Sequence, residues 1–342
     1  MDWLAMGMKG IRTVQGAAMQ ALTPRGIDLA GRVVVVVGGT RGLGLLLAEA
    51  YGRQGARLAI CGRDGKTLDQ ALFDLEPLGV DVLGMRCDIA DRRQAEAMIA
   101  QVLAHYGRID VLVNNAGIME IGPIDDMAYE DFEAVMTADF LGAVATTMAA
   151  VPAMQAAGFG RIVNISSIFG RIAVPHMLPY DCAKFALRGF SEGLAAELAK
   201  DGIVVTTVFP GPMRTGGTVN ALFKGRQDEE FNLMNTLLAS PAVSIDPARA
   251  AERIVEATRR GELEVTLSWQ AQVAGLLHDL TPTAVIGALG VASRFLPPPA
   301  GEPTAPLPGR RFVTMATYAG PQRPVIDAAK DLNQYVREDV PT

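Results

Sequence analysis

The stretch RVVVVVGGTRGLG, Arg32 to Gly44, limits what this chain can fold into more than any other. Five consecutive valines leave no polar face, so the strand they form must be covered on both sides, as in the interior of a parallel sheet. Gly38, Gly42 and Gly44 end that run and open a helical pattern, LGLLLAEAYGRQG. A buried strand passing straight into a helix is the first half of a crossover that returns to lay down a parallel neighbour.

The rest of the chain repeats this unit. Strand-like runs ARLAIC, VLGMRCD, IDVLVNNAG, GRIVNISS and GIVVTTVFPGP alternate with helical patterns. ELEVTLS, a candidate last strand, follows an Asp-Pro helix start in DPARAAERIVEATRRG. The alternation predicts a doubly wound α/β fold, Rossmann-like, with about seven parallel strands and helices on both faces. In such folds ligands sit beyond the carboxyl ends of the strands, so those ends carry the functional argument.

Composition narrows the ligand. A net charge of −6 without a basic run argues against nucleic acid. Three cysteines, Cys61, Cys87 and Cys182, lack CxxC spacing, and the histidines are far apart; neither a disulfide framework nor a metal site is expected. A reducing, cytoplasmic setting fits this usage best.

The first strand end suits a dinucleotide. A GxxxGxG spacing lets backbone turn sharply and approach a pyrophosphate at the start of the next helix. A site selective for NAD places an acid after the second strand to bond the ribose 2′-hydroxyl. Here that strand ends ICGRD, with Gly62 at that place and Arg63 beside it, while Arg41 stands in the glycine loop. Two guanidinium groups suit a 2′-phosphate, which favours NADPH over NADH. Asp64 can either take the acid's role or pair with an arginine. Asp88 closes the third strand, where it either accepts from the adenine amino group or serves as a turn and cap residue. NNAG, Asn114 to Gly117, ends the fourth strand with amides that can pin neighbouring strands and line the cleft.

Tyr180 and Lys184 lie four positions apart in PYDCAKFAL, one turn apart on one helical face. With the glycine loop, NNAG, NISS and YxxxK in this order, the chain resembles the short-chain dehydrogenase/reductase family over roughly Asp28 to Leu267, in its single-domain GxxxGxG/YxxxK branch. The resemblance implies a hydride transfer between a nicotinamide and a ketone or secondary alcohol. Tyr180 would be the general acid, with Lys184 lowering its pKa and bonding the nicotinamide ribose, and Ser167 would hold the substrate oxygen. Ser166 is the local competitor of Ser167. The family's helical asparagine is replaced here by Asp139, which could either keep a proton relay working or weaken it. The expected cofactor-facing set is Gly38, Thr40, Arg41, Gly42, Leu43, Gly44, Arg63, Asp88, Ile89, Asn115, Ala116, Gly117, Tyr180, Lys184, Pro210, Gly211, Met213 and Thr215. Ser167, Ile168, His176, Met177 and Tyr180 form the expected substrate set, whose apolar members favour a lipophilic substrate.

The expected organisation is an N-terminal amphipathic segment over 1–27, an NADP-binding body over 28–268 and an apolar helical extension over 269–296. A Pro-rich, semi-rigid linker over 297–309 and a tail over 310–342 follow, the tail with a short helix at about Val325 to Val336. The segment 216–240, glycine-led and then amphipathic, is expected as a lid. No run of about 18 apolar residues suggests a spanning helix. The amphipathic N-terminus allows docking on the protein's own surface, on a sister subunit or on a membrane surface. Alanine- and glycine-rich helices around LGAVATTMAA and after Tyr180 fit a homodimer or homotetramer, as the resemblance also implies.

Overall fold

The computed structural model describes residues 26–301, 304–314, 317 and 320–335. The N-terminal segment, for which an amphipathic helix is expected, lies outside these apart from its last two residues. The first half runs β1 (Val33–Val37), α1 (Gly42–Arg53), β2 (Arg57–Gly62), α2 (Gly65–Leu75), β3 (Val82–Arg86), α3 (Arg92–Tyr106), β4 (Val111–Asn114) and β5 (Glu120–Ile121). Then come α4 (Tyr129–Met136), a π-helical turn (Thr137–Leu141), α5 (Gly142–Ala157), β6 (Gly160–Ile165), α6 (Leu178–Leu198), β7 (Ile203–Phe209) and β8 (Leu222–Phe223). The chain ends with α7 (Gln227–Ala239), α8 (Pro247–Arg260), β9 (Glu264–Thr266), α9 (Trp269–Leu280), α10 (Pro282–Ala292), β10 (Leu307–Pro308) and α11 (Arg323–Asp331).

Seven strands form one all-parallel sheet in the order β3-β2-β1-β4-β6-β7-β9, as the alternation predicts. The five valines of β1 divide between two cores because successive side chains of a strand face opposite ways. Val34 and Val36 pack with Leu47, Tyr51 and Ile254 on one face. Val33, Val35 and Val37 pack with Ile99, Val102 and Met154 on the other. The order reverses direction at β1 and β4, which opens a crevice at their carboxyl ends.

Two features are absent from the sequence reading. A small sheet, β10-β8-β5, stands beside the main one. The Pro-rich segment read as a linker is docked on the body: β10 pairs with β8, Thr304 Oγ1 accepts from Gly225 N at 2.9 Å, and Ala305 O accepts from the Gln227 amide at 2.7 Å. Backbone pairing rather than proline stiffness holds it. The tail helix ends at Asp331, short of the expected Val336.

The helix from Tyr129 to Ala157 is long and apolar enough by composition to cross a bilayer, yet it packs on α3 and α6 and carries Asp139 inward. The apolar extension is a helical hairpin, α9 and α10, bent by 117°. Ala271, Ala274, Val285 and Leu289 pack against Ile168, Phe169 and Ile172, whereas Trp269, Leu280, Ile286 and Phe295 are exposed.

Candidate active site

A cleft of about 440 Å³ opens over the carboxyl ends of β1, β2, β4, β6 and β7. Gly38, Thr40, Arg41, Gly42, Leu43, Arg63, Asp88, Ile89, Asn115, Ala116, Gly117, Pro210, Gly211, Met213 and Thr215 all line it, together with Ser167, Met177, Tyr180, Lys184 and Asp139. Three expected residues do not. Gly44 is a packing glycine: a Cβ there would stand 2.0 Å from Gly38 O. Ile168 is buried against Ala271, because the chain turns into a short 3-10 helix after Ser167 and brings Phe169 to the cleft instead. His176 is held by Glu230 through Nδ1 at 2.6 Å.

At the dinucleotide end Asp64 lines the cleft and serves as a helix cap. Its Oδ1 accepts from Thr67 N at 2.8 Å, so the carboxylate caps α2. A side chain on Gly62 would meet Thr40 Oγ1 at 2.5 Å, which leaves no room for an acid there. Arg41 and Arg63 face this end beside Asp64, whose Oδ1 is taken up by the cap. Burial, then Arg63 and Arg310, push the Arg41 guanidinium below its ordinary pKa against the opposing pull of Asp64. Gly38 permits the close approach the loop needs, since a Cβ would stand 2.8 Å from Ala116 Cα. These residues fit a phosphorylated dinucleotide. Asp88 lines the cleft and also accepts from Ala90 N at 3.1 Å, so its turn role is occupied.

Below the loop, amides tie the strand ends together. Asn114 donates to Thr147 Oγ1 at 2.9 Å and to Asn164 Oδ1 at 2.8 Å, accepts from Thr146 at 2.7 Å, and Asn164 passes the chain to Ser191. All are buried and satisfied, which fixes β4, β6, α5 and α6 in register under the reacting groups.

Tyr180 and Lys184 project from the first turns of α6, and Ser167 from the end of β6. Ser167 and Tyr180 both line the cleft, where the serine hydroxyl favours the ionised phenol, and Lys184 Nζ stands 5.3 Å from the Tyr180 ring centre. Ser166 also lines the cleft, but its hydroxyl proton is committed to Lys184 O at 3.0 Å. Lys184 Nζ donates to Ile165 O at 3.2 Å and pairs with Asp139 Oδ2 at 3.0 Å. Asp139 sits in the π-helical turn, which aims it inward, and its other oxygen accepts from Ile118 N at 2.6 Å.

The electrostatics differ from the sequence expectation in one respect. Lys184 does pull the Tyr180 phenol down, but burial outweighs it and Asp139 adds to burial, so the phenol lies above its ordinary value. Burial would lower the Lys184 ammonium; Asp139 and then Tyr180 overcome this and hold it above its ordinary value. Burial likewise raises the Asp139 carboxyl against the pull of Lys184. Asp139→Asn removes the negative charge that raises Tyr180. Its pH limb should then move to lower pH, whether measured as the alkaline loss of reduction or the acid loss of oxidation. An unmoved limb would show that Asp139 does not act on the phenol.

Several cleft residues escaped the sequence reading: Cys61, Cys87, Met119, Phe169, Asn220, Met234 and Gln334. The last is 114 positions from its hydrogen-bonding partner Asn220, a separation that no local pattern signals.

A glycine loop at the switch point of a parallel sheet, above a Ser-Tyr-Lys cluster, defines a short-chain dehydrogenase. The family model for short chain dehydrogenase matches residues 32–224. SadH of Mycobacterium tuberculosis is 35% identical over 273 residues, which cover 78% of this chain and 97% of SadH. A short-chain dehydrogenase from Streptomyces avermitilis has a structure similar at a TM-score of 0.67 and 30% identity, covering 79% of this chain and 99% of its own. A metagenomic short-chain oxidoreductase in complex with NADP is similar at a TM-score of 0.58 and 28% identity, over 70% and 98% of the two chains. The chain belongs to the short-chain dehydrogenase/reductase family and is an oxidoreductase of that family.

Proposed function

We propose that the protein is an NADPH-dependent carbonyl reductase, interconverting an apolar ketone and its secondary alcohol. One observation carries the reading. The cleft that holds Ser167, Tyr180 and Lys184 at one end presents Arg41 and Arg63 at the other, with Asp64 engaged as a helix cap.

A bound NADPH supplies the hydride. Ser167 holds the carbonyl oxygen, and Tyr180 gives that oxygen its phenolic proton as the carbon is reduced. Lys184 stabilises the phenolate left behind, and Asp139 keeps Lys184 charged. Met119, Phe169, Met177, Met234 and Leu238 supply an apolar lining, which supports a lipophilic substrate.

The test is NADPH oxidation across a panel of apolar and polar ketones, with Arg41→Ala/Arg63→Ala alongside. A hydrogen bond to a charged group is worth roughly 1.5–3 kcal/mol, so the double variant, which removes two such donors, should raise KM for NADPH by about 10²–10⁴-fold and leave KM for NADH unchanged. Equal changes for both nucleotides would remove the 2′-phosphate assignment. The ion pair between Lys184 and Asp139 favours a second reading, a nucleotide-binding protein with little turnover. Tight NADPH binding without turnover on the whole panel would select it.

A further inference from the structure

The C-terminal segment, beyond the family match that ends at residue 224, reaches back to the dinucleotide cleft. α11 seats itself on the substrate-side loop, where Gly216, at φ +67, brings its backbone so close that a Cβ would stand 2.3 Å from Ala329 Cα. Val325, Ile326 and Ala329 are fully buried there, so the seat is firm. The three residues after the helix then fasten two parts of the cleft. Leu332 O accepts from Gly42 N at 2.8 Å. The Asn333 amide donates to Thr40 O at 2.8 Å and to Thr67 O at 2.9 Å, from a left-handed backbone at φ +55. Gln334 donates to Thr215 O at 3.2 Å, and its own oxygens accept from Asn220 at 2.8 and 3.0 Å. Asn333 and Gln334 are both buried, and Gln334 lines the cleft.

These contacts act on the part of the site that costs most to order. A loop with three glycines loses more freedom on fixing than any other composition, and order present before binding need not be lost upon it. The first N–H groups of a helix have no intrahelical acceptor. Leu332 takes that of Gly42, and that of Leu43, which lines the cleft, is left for a diphosphate.

We propose that Asn333 and Gln334 are positioning residues for the dinucleotide, a latch from the C-terminal segment that holds the glycine loop and the 215–220 loop in their binding arrangement. The proposal rests on the dinucleotide reading above. Asn333→Gly keeps the left-handed backbone at no cost and removes both amide bonds. Stopped-flow fluorescence should show NADPH leaving this variant about 10–30-fold faster, the equivalent of two lost hydrogen bonds, with little change in association. In steady state, KM for NADPH should rise by more than kcat falls. Hydrogen exchange of the Gly38–Gly44 amides in the nucleotide-free protein should quicken by about tenfold. Gln334→Ala, which removes the side-chain bonds to Thr215 O and from Asn220 and leaves those of Asn333 in place, should show the same trend and serves if Asn333→Gly does not fold. Unchanged dissociation and unchanged exchange would overturn the latch. Equal acceleration of association and dissociation would also overturn it, by making the segment a gate. Failure of the wild-type protein to bind either NADPH or NADH would instead defeat the dinucleotide reading, while the exchange measurement still decides whether the latch holds the loop.

Discussion

Tyr180→Phe is expected to lower kcat for ketone reduction by about 10²–10⁴-fold, the range lost when a positioned proton donor is removed. The substitution deletes one oxygen. The ring stays, and with it the edge contact to Phe169 at a centroid separation of 6.5 Å. Arg41, Arg63 and Lys184 are untouched, so NADPH affinity should persist while turnover fails. The variant also reads the phenol's titration. Reduction needs the protonated phenol, and burial holds its pKa above the ordinary value. Wild-type activity in that direction should therefore survive into the alkaline range and fall only as the phenol ionises. In Tyr180→Phe the residual rate should lose that limb. Turnover near wild type would show that the proton comes from elsewhere and would end the assignment of Tyr180.

What was legible in the sequence was what local spacing encodes. Five valines dictate a strand covered on both faces, and a four-residue interval puts Tyr180 and Lys184 on one face of α6; neither depends on distant partners. The glycine spacing works the same way, since backbone geometry at a strand-to-helix turn is a local property. Ile168 and His176 do not line the cleft, because a 3-10 turn after Ser167 and the hydrogen bond with Glu230 decide where they point. Asp64 was ambiguous for a similar reason: an acid after a strand can face a ribose or cap the next helix, and the bond to Thr67 N that shows the cap is not visible in the sequence. The latch is at the far extreme. Asn333 meets Thr40 across 293 positions, and no periodicity in either segment announces it. Asp139 was legible as a departure from the family pattern, but its consequence required the π-helical turn that brings it to Lys184.

That contact sets the second large effect. The Lys184 side chain is 4% exposed and that of Asp139 is 0% exposed. Breaking a buried pair by removing one partner typically costs about 3–5 kcal/mol, because the remaining charge keeps its desolvation penalty and loses its compensation. Lys184→Met keeps most of the stem's volume, so its cost should come from the stranded carboxylate rather than from a cavity. The pH dependence fixes the origin. Asp139 in the folded protein already lies above its ordinary pKa through burial, and loss of Lys184 removes the opposing pull. A carboxyl raised on folding binds its proton more tightly in the native state, so its contribution to stability declines as pH rises above the unfolded value of about 3.9. Lys184→Met should therefore be nearly as stable as wild type in acid and fall furthest behind above neutrality, by chemical denaturation at each pH. Lys184→Met/Asp139→Asn should recover most of the deficit and lose its pH dependence, because no charge remains to strand. It should not recover turnover, since the ammonium that stabilises the Tyr180 phenolate is gone in both. A deficit that is the same at all pH values, or that survives in the double variant, would mean that Lys184 stabilises through packing and its bond to Ile165 O, and that the pair with Asp139 contributes little.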